Sequence, residues 1–427
     1  MANTIRQQNR IANKVFYKFR QAGKFLSEVN FKSEDFKPSE NVGGAFTYRR
    51  PSKSTTFETN SAAIGSVPAV GSAPTYGSYT EPVVQLVVAK KFAKRIVVSS
   101  SDMTLALSEE QVLSRQVEQD VVSLRRQIES YAAGIAMAGT GQTIGTPSTP
   151  ATGDTLLDNF AKAAALMNSR GLEDDGKRVA LVTSDQAVAL NGATRKLFNP
   201  TEEVSRIFRT GGLGQFANLN FAQTPLLPGD RVTIASVGTP RVNGAGQSAG
   251  VVWTSTWSLV TDGWTAGAVI PAGTLIKIAG VDWVVPDTFV DFGTQAIFRV
   301  VSTVTADGSG NATLTLVDPL IGPLNGSGDS TNGYQSVSAL PADDALITVV
   351  NNVANANPAL VFDGNAVLGV SPVISIPDKI EHKNQKVDGI NVMFIMSADP
   401  FNYSYIWEIQ AMVGFVVGMP EGVVLVH

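Results

Sequence analysis

The sequence predicts an α+β fold in which an all-β barrel interrupts an α/β domain, and three stretches predict it. Residues 108–139 place apolar side chains at steps of four and three, the spacing of one helical face. Residues 150–225 alternate helical stripes with short apolar runs. From about Leu226 to Leu340 helical periodicity gives way to short β-rich runs, frequent glycine and four of the five tryptophans. Apolar runs of the α/β kind resume at Ala345, which makes the barrel an insertion.

Composition sets the outer bounds. A length of 427 residues suits two or three domains with a sizeable core. Charged residues make up 16%, against a usual share of about a quarter. Such a surface suits coverage by other subunits, and equally a loop-rich β protein. Net charge is −4, too mild to name a partner. The absence of cysteine excludes disulfides, thiolate zinc sites and cysteine nucleophiles, and fits a reducing compartment. The densest apolar run, Ala411 to Met419, has nine residues, well short of the roughly 20 that cross a bilayer. The first residues also lack the apolar core of a secretory signal.

Taken in order, residues 3–27 predict an amphipathic helix with Ile11, Val15, Phe19, Ala22 and Leu26 on one stripe. Arg6, Arg10, Lys14 and Lys18 form an adjacent row at spacing four, with no acid before residue 28. A membrane surface, a polyanion or an acidic protein would suit that row, as would plain solvent. Residues 53–80 are rich in Ser, Thr, Ala, Gly and Pro, and 61–80 carry no charge. This stretch suits a flexible linker, or a two-stranded arm, because Ala45 to Arg50 and Val83 to Ala89 bracket it as strands. A further strand, Phe92 to Ser99, leads into the long helix.

That helix carries Leu113, Val117, Val121, Leu124, Ile128, Tyr131 and Ile135 on a narrow seam. Ser108 with Gln111 fits a capping box, Glu109 and Glu110 complement the positive end of the dipole, and Gly139 and Gly141 stop it. At 1.5 Å per residue it spans about 45 Å, the length of a strut. Beyond it, Leu157, Phe160, Ala164 and Met167 make a helical stripe ended by Gly171, Arg178 to Thr183 is a buried strand, and Ser184 or Asp185 caps another helix. Asn199-Pro200 opens a third helix, and Phe216 to Ala222 is a strand. Barrel strands are expected at Val232 to Val237, Val251 to Trp253, Leu275 to Ala279, Ile297 to Val304 and Ala312 to Val317. The last part predicts strands at Ile347 to Val350, Val370 to Ile376, Ile390 to Met396, Val413 to Val417 and Val423 to Val426, with a helix-like run at Tyr403 to Ala411.

No catalytic constellation emerges. Only His382 and His427 are histidines, and His382 falls in a charged segment that predicts a solvated loop. The glycines 139, 141 and 145 follow a helix where a dinucleotide loop requires a strand, and Gly211 to Gly214 lacks the Lys-Ser/Thr of a phosphate loop. Acidic pairs at 109/110, 174/175 and 343/344 suit capping and solvation, while a hydrolase built on carboxylates alone stays open. No metal and no cofactor is expected.

The order of these parts resembles the major capsid (coat) proteins of tailed bacteriophages, and among them the subgroup with an inserted β-barrel domain, such as the coat proteins of Salmonella short-tailed phages. The resemblance rests on Phe92 to Ser99 running into the helix, Gly211 to Pro228, Ala272 to Val281 with Phe298 to Val301, and Trp407 to Val426. It implies a tailed-phage/herpesvirus-type capsid fold with an arm at 1–43, an extended loop with flanking strands of the peripheral domain at 44–99, the spine helix and peripheral domain at 100–149, a first axial part at 150–225, the inserted barrel at 226–342, and an axial and peripheral return at 343–427. It implies a shell protein and not an enzyme, assembling with itself into hexamers and pentamers. Scaffolding protein, portal protein and packaged double-stranded DNA are the implied partners, with no membrane; the virion, and the host cytoplasm during assembly, are the implied locations. Arg6, Arg10, Lys14 and Lys18 would meet scaffold or DNA. A barrel loop within Thr239 to Ser255 would reach a neighbouring capsomer, with Arg241 in an intersubunit ion pair. Arg115, Glu118, Arg125, Arg126 and Glu129 would face neighbours or the particle interior. An encapsulin-like compartment shell and a β-rich surface adhesin are the alternatives.

Overall fold

The computed structural model describes residues 12–20, 25–32, 45–50, 82–99, 109–147, 151–194, 214–250, 253–286, 288–323, 334–353, 357–375, 381–399 and 401–427. The helix expected from Asn199, the uncharged stretch 61–80, Arg6 and Arg10 lie outside them.

The long helix runs from Glu109 to Ala138. Of its seam, Val121, Leu124 and Ile128 are buried, and Tyr131 and Ile135 pack against the same core. In its last turns Ala132, Ala133 and Ala136 take over the buried face, so the helix closes on its neighbours with small side chains. Gly139 follows its last turn, and a Cβ there would collide with the side chain of Val417.

Beneath the helix lies the first sheet, in the order Asn30–Phe31, Val367–Val370, Ser404–Val417, Ile390–Asp399 and Glu381–Val387. Lys90–Ser99 also pairs with Ser404–Val417, antiparallel, from Ser404 opposite Ser99 to Val413 opposite Lys90. The helix-like run expected at Tyr403 to Ala411 is therefore strand. Trp407, Ile409, Ala411, Val413, Phe415 and Val417 are all buried, a period of two. Pairing on both edges overrides the local helical spacing. Tyr131 joins helix to sheet, its ring 5.9 Å from Phe92 and 6.0 Å from Phe415. His382 belongs to the strand Glu381–Val387, opposite Ile395, and not to a loop.

The second sheet runs Thr143–Ile144, Val423–Val426, Ala359–Asp363, Arg178–Val182, Leu219–Gln223, Gln215–Phe216. Its three middle strands are buried at every position, the pattern of a sheet covered on both faces. Gly153–Ser169 and Ser184–Thr194 cover one face, through Phe160, Met167 and Leu190. The other face supplies Val179, Leu181, Leu360 and Phe362 to the core beneath the long helix. Gly171 stops the first helix in a left-handed conformation, φ 76°. The second is capped by Thr183, one residue earlier than expected. The Gln186 amide N–H donates to Thr183 Oγ1 (3.4 Å) while the Thr183 amide N–H donates to Gln186 Oε1 (3.0 Å), a reciprocal box.

The chain leaves this sheet at Gln223 and rejoins it at Ala359, and the residues between build a third sheet. Its order is Ile347–Val349, Leu275–Val284, Asp291–Val300, Ala312–Val317, Thr256–Trp264, Gly238–Val242. The two outer strands then meet. The Val242 amide donates to Ala345 O and the Asp344 amide to Val242 O, both at 3.0 Å, and Arg241 bridges Leu346, so the sheet closes on itself. Trp257 and Trp283 pack on Phe298 inside it, with ring centroids 5.5 and 5.4 Å apart. Two expectations change here. Val232 makes a single bridge to Asn352 and is not in a strand. Ile347–Val349, expected to begin the return to the α/β part, pairs antiparallel with Leu275–Val284 in this sheet.

The closed sheet surrounds an apolar core of its own, with Trp257, Trp264, Trp283 and Phe298 among its buried residues. A fragment spanning 226–352 is expected to give strand-dominated circular dichroism and a cooperative melt; a featureless spectrum would contradict this.

The strands Ala45–Arg49 and Val83–Val87 pair antiparallel from Ala45 opposite Val87 to Arg49 opposite Val83. Leu86 docks this hairpin base on Leu368 and Val370 of the first sheet.

Candidate functional site

The polar chemistry of this chain is concentrated where its layers join. Four buried arginines each cross such a joint.

Arg299, 3% exposed, extends from the barrel strand Asp291–Val300. Its Nη1 and Nη2 donate to the two carboxylate oxygens of Asp230 (2.6 and 3.0 Å), and its Nε donates to the carbonyl of Thr140, just beyond the long helix (2.6 Å). The fork geometry suits only a guanidinium. Asn351 completes the joint, donating to Asp230 O and Gly273 O at 2.9 and 3.0 Å. Arg170, at the end of Gly153–Ser169, donates to both oxygens of Asp318 in the barrel (2.8 and 3.2 Å) and stacks 3.9 Å from the ring centre of Trp283. The barrel is thus pinned to the body twice.

Arg50, at the hairpin base, pairs with Glu421 and lies 4.3 Å from the ring centre of Trp253. Arg125, in the middle of the long helix and fully buried, donates to the Phe19 carbonyl (2.7 Å), to Asp388 (2.6 Å) and to Glu129 (3.3 Å). Burial raises the Glu129 carboxyl above the usual range, and Arg125 partly offsets this. Arg125 and Glu129 were expected to face neighbours or the interior; instead they hold the residue 12–20 helix to the long helix. Arg126 is exposed, as expected, and the side chains of Arg115 and Glu118 lie outside the described residues.

Lys14 and Lys18 stand on the 12–20 helix, Lys14 exposed and Lys18 half-buried, while Ala12, Val15, Phe16 and Phe19 are buried. Lys18 and Arg126 face a surface groove of about 630 Å³ that Gln119, Ser123, Gln127 and Ser130 also line, with no carboxylate among its described lining residues. Arg241 is not in a loop but in the strand Gly238–Val242, where its Nη1 donates to Asp344 O at the barrel's closure (2.9 Å). The loop follows it. Gln247 holds that turn, donating to Asn243 O and Val260 O (2.8 and 3.0 Å) and accepting from the Val260 amide (2.7 Å).

His427 is buried beside the same joint as Arg299, its amide donating to Ile144 O (2.9 Å). Burial, aided by Arg299 and opposed by Asp230, lowers its pKa to about 4. Because the folded value lies below the unfolded one, its neutral form stabilises the fold fully above about pH 6.5, and that contribution is lost as pH falls towards 4. The loss is on the order of 3 kcal/mol. Denaturant titrations at pH 7 and pH 4.5 are expected to show a smaller acid penalty in His427→Gln than in the wild type; equal penalties would contradict it.

Among the described residues no group of three or more Asp, Glu or His gathers as a metal site, and no helix is long and apolar enough to cross a membrane.

Residues 78–424 match the family model described as P22 coat protein, gene protein 5. The class is thus a phage coat protein, a structural component of the virion. The chain belongs to the P22 coat protein family and is a major capsid protein that forms the head shell. No curated protein matches it in sequence. Similar solved structures include one described as Mycobacterium phage Che8, 12% identical, covering 95% of this chain and 91% of that chain at a TM-score of 0.47. The capsid of Cyanophage P-SCSP1u is also 12% identical, covering 95% and 88% at 0.48. The CUS-3 coat protein I-domain is 21% identical, covering 27% of this chain and 98% of that one at 0.21. At these scores the family assignment rests on the sequence match.

Proposed function

We propose that this chain is the repeating subunit of an icosahedral shell of hexamers and pentamers, which encloses the double-stranded DNA of a tailed phage. Assembly takes place in the host cytoplasm around a scaffolding protein, with a portal protein as a further partner. The observation that best supports this reading is a long helix clamped along one side to a six-stranded sheet, with a polar groove left along the other. Such an element acts as the spine of a thin wall. The hairpin at 45–50 and 82–87 is the base of an extended loop, the second sheet with its helices is the axial part, and 226–352 is the inserted barrel. The turn after Arg241 reaches a neighbouring capsomer, where Arg241 contributes an ion pair. Arg6, Arg10, Lys14 and Lys18 meet scaffold or DNA without sequence preference.

Co-expression with its own scaffolding protein is expected to yield closed shells by electron microscopy; monomers alone would overturn the reading. Replacing the four basic residues by Gln should weaken scaffold binding or DNA retention, and flatten its log–log salt dependence by about 0.9 for each lost phosphate contact. An unchanged slope would assign the row to solvent.

A further inference from the structure

We infer that a small cavity where the hairpin base, the second sheet and the barrel meet binds a single water molecule, which joins Arg50 to Gln335. The cavity measures about 30 Å³ and is lined by Arg50, Arg170, Trp253, Asp318, Gln335 and Glu421 among others. A water needs roughly 10–15 Å³ of such space, so one fits and an organic ligand does not.

Two residues of this lining carry a buried polar atom that has no protein partner among the described residues: Arg50 Nη1 and Gln335 Oε1. Both residues are deeply buried, at 6% and 5% exposure. Arg50 Nη2 donates to Glu421, and Gln335 Nε2 donates to the Val337 carbonyl (2.9 Å). A donor group and an acceptor are thus left over on two residues that line the same space. A molecule that accepts from the first and donates to the second satisfies both, and leaving either buried and unmet would be costly.

Charge selects the class of occupant. Arg50 and Arg170 are balanced by Glu421 and Asp318, each in its own ion pair, so the walls offer no net field for a bare ion. A neutral dipole of water's size fits this environment. The site is also braced. Trp253 stacks on Arg50, and Val84, Trp253 and Ile321 form an apolar contact between hairpin and barrel. The water is the polar half of that contact.

A map of the full-length protein that resolves ordered water tests this. One peak within about 2.7–3.2 Å of both Arg50 Nη1 and Gln335 Oε1 is expected. A well-resolved cavity without a peak, or Gln335 bonded directly to Arg50, would overturn it. So would an anomalous signal at the site after bromide soaking, which would make the occupant an anion. Gln335→Met keeps the bulk and removes the acceptor. It is expected to lose the peak and to raise deuterium exchange of the 45–50 segment roughly tenfold, because the Arg50 amide closes the hairpin on Pro82 O (2.9 Å). A retained peak with unchanged exchange would remove Gln335 from the site.

Discussion

Replacing Arg299 by alanine is expected to cost on the order of 3–5 kcal/mol, because the change strands the Asp230 carboxylate in the interior. Asp230 is 6% exposed and takes both hydrogen bonds of the fork from Arg299 alone. The Thr140 carbonyl loses its donor as well. Two effects separate this from ordinary core damage. The deficit should fall on the base of the barrel, where Asp230 and Arg299 both lie, and on its attachment through the Thr140 carbonyl, so exchange rises around 140 and 230 more than in strands remote from them. The double variant Arg299→Met with Asp230→Leu should recover much of the loss, since it removes both charges together. Urea titration of the monomer reads the cost, and a loss below about 1 kcal/mol would show that the pair does not hold this end of the barrel together.

Arg125→Leu carries a comparable penalty, about 3–5 kcal/mol at neutral pH, and adds a pH signature. Without the guanidinium, Glu129 loses the cation opposite it, while Asp388 keeps only the exposed Arg20 at 3.7 Å. Burial already raises the Glu129 carboxyl in the wild type, and removing the cation raises it further. A carboxyl whose folded pKa exceeds its unfolded value destabilises the fold above that range and ceases to do so once protonated. The Arg125→Leu deficit should therefore shrink as pH falls from 7 through the raised Glu129 value. Adding Glu129→Gln should remove that pH dependence. Protease sensitivity of the 12–20 helix gives an independent measure, and a deficit that is flat with pH would rule out Glu129 as the stranded partner.

The long helix was legible because Val121, Leu124 and Ile128 repeat at a helical period, which is a local property. Arg125 and Glu129 sit between those positions and read as residues turned towards neighbours or the particle interior. Their partners, Phe19 and Asp388, are 106 and 263 residues from Arg125, and no window of sequence brings them together. The barrel was visible from its texture, but its end was not, since Ile347–Val349 is an apolar run of the kind any sheet uses. Ser404–Val417 was read partly as helix because Trp407, Gln410 and Ala411 also fall at helical spacing; two flanking strands decide the matter. One signal for the joints was available. A lone arginine in an otherwise apolar strand, as in Ile297-Phe298-Arg299-Val300, has no solvent to reach and needs a built partner.

The pairing of Lys90–Ser99 with Ser404–Val413 also sets the order in which the chain can fold. During synthesis the earlier strand emerges long before its partner exists, and closing so distant a pair carries a large loop entropy. The barrel, by contrast, draws all its strands from one contiguous stretch. It can form first and leave the long helix and its half-built sheet waiting, with Phe92 and Ile96 uncovered, until the last strands arrive. The slow step, and the window in which the subunit is prone to aggregate, should therefore belong to the first sheet and not to the barrel.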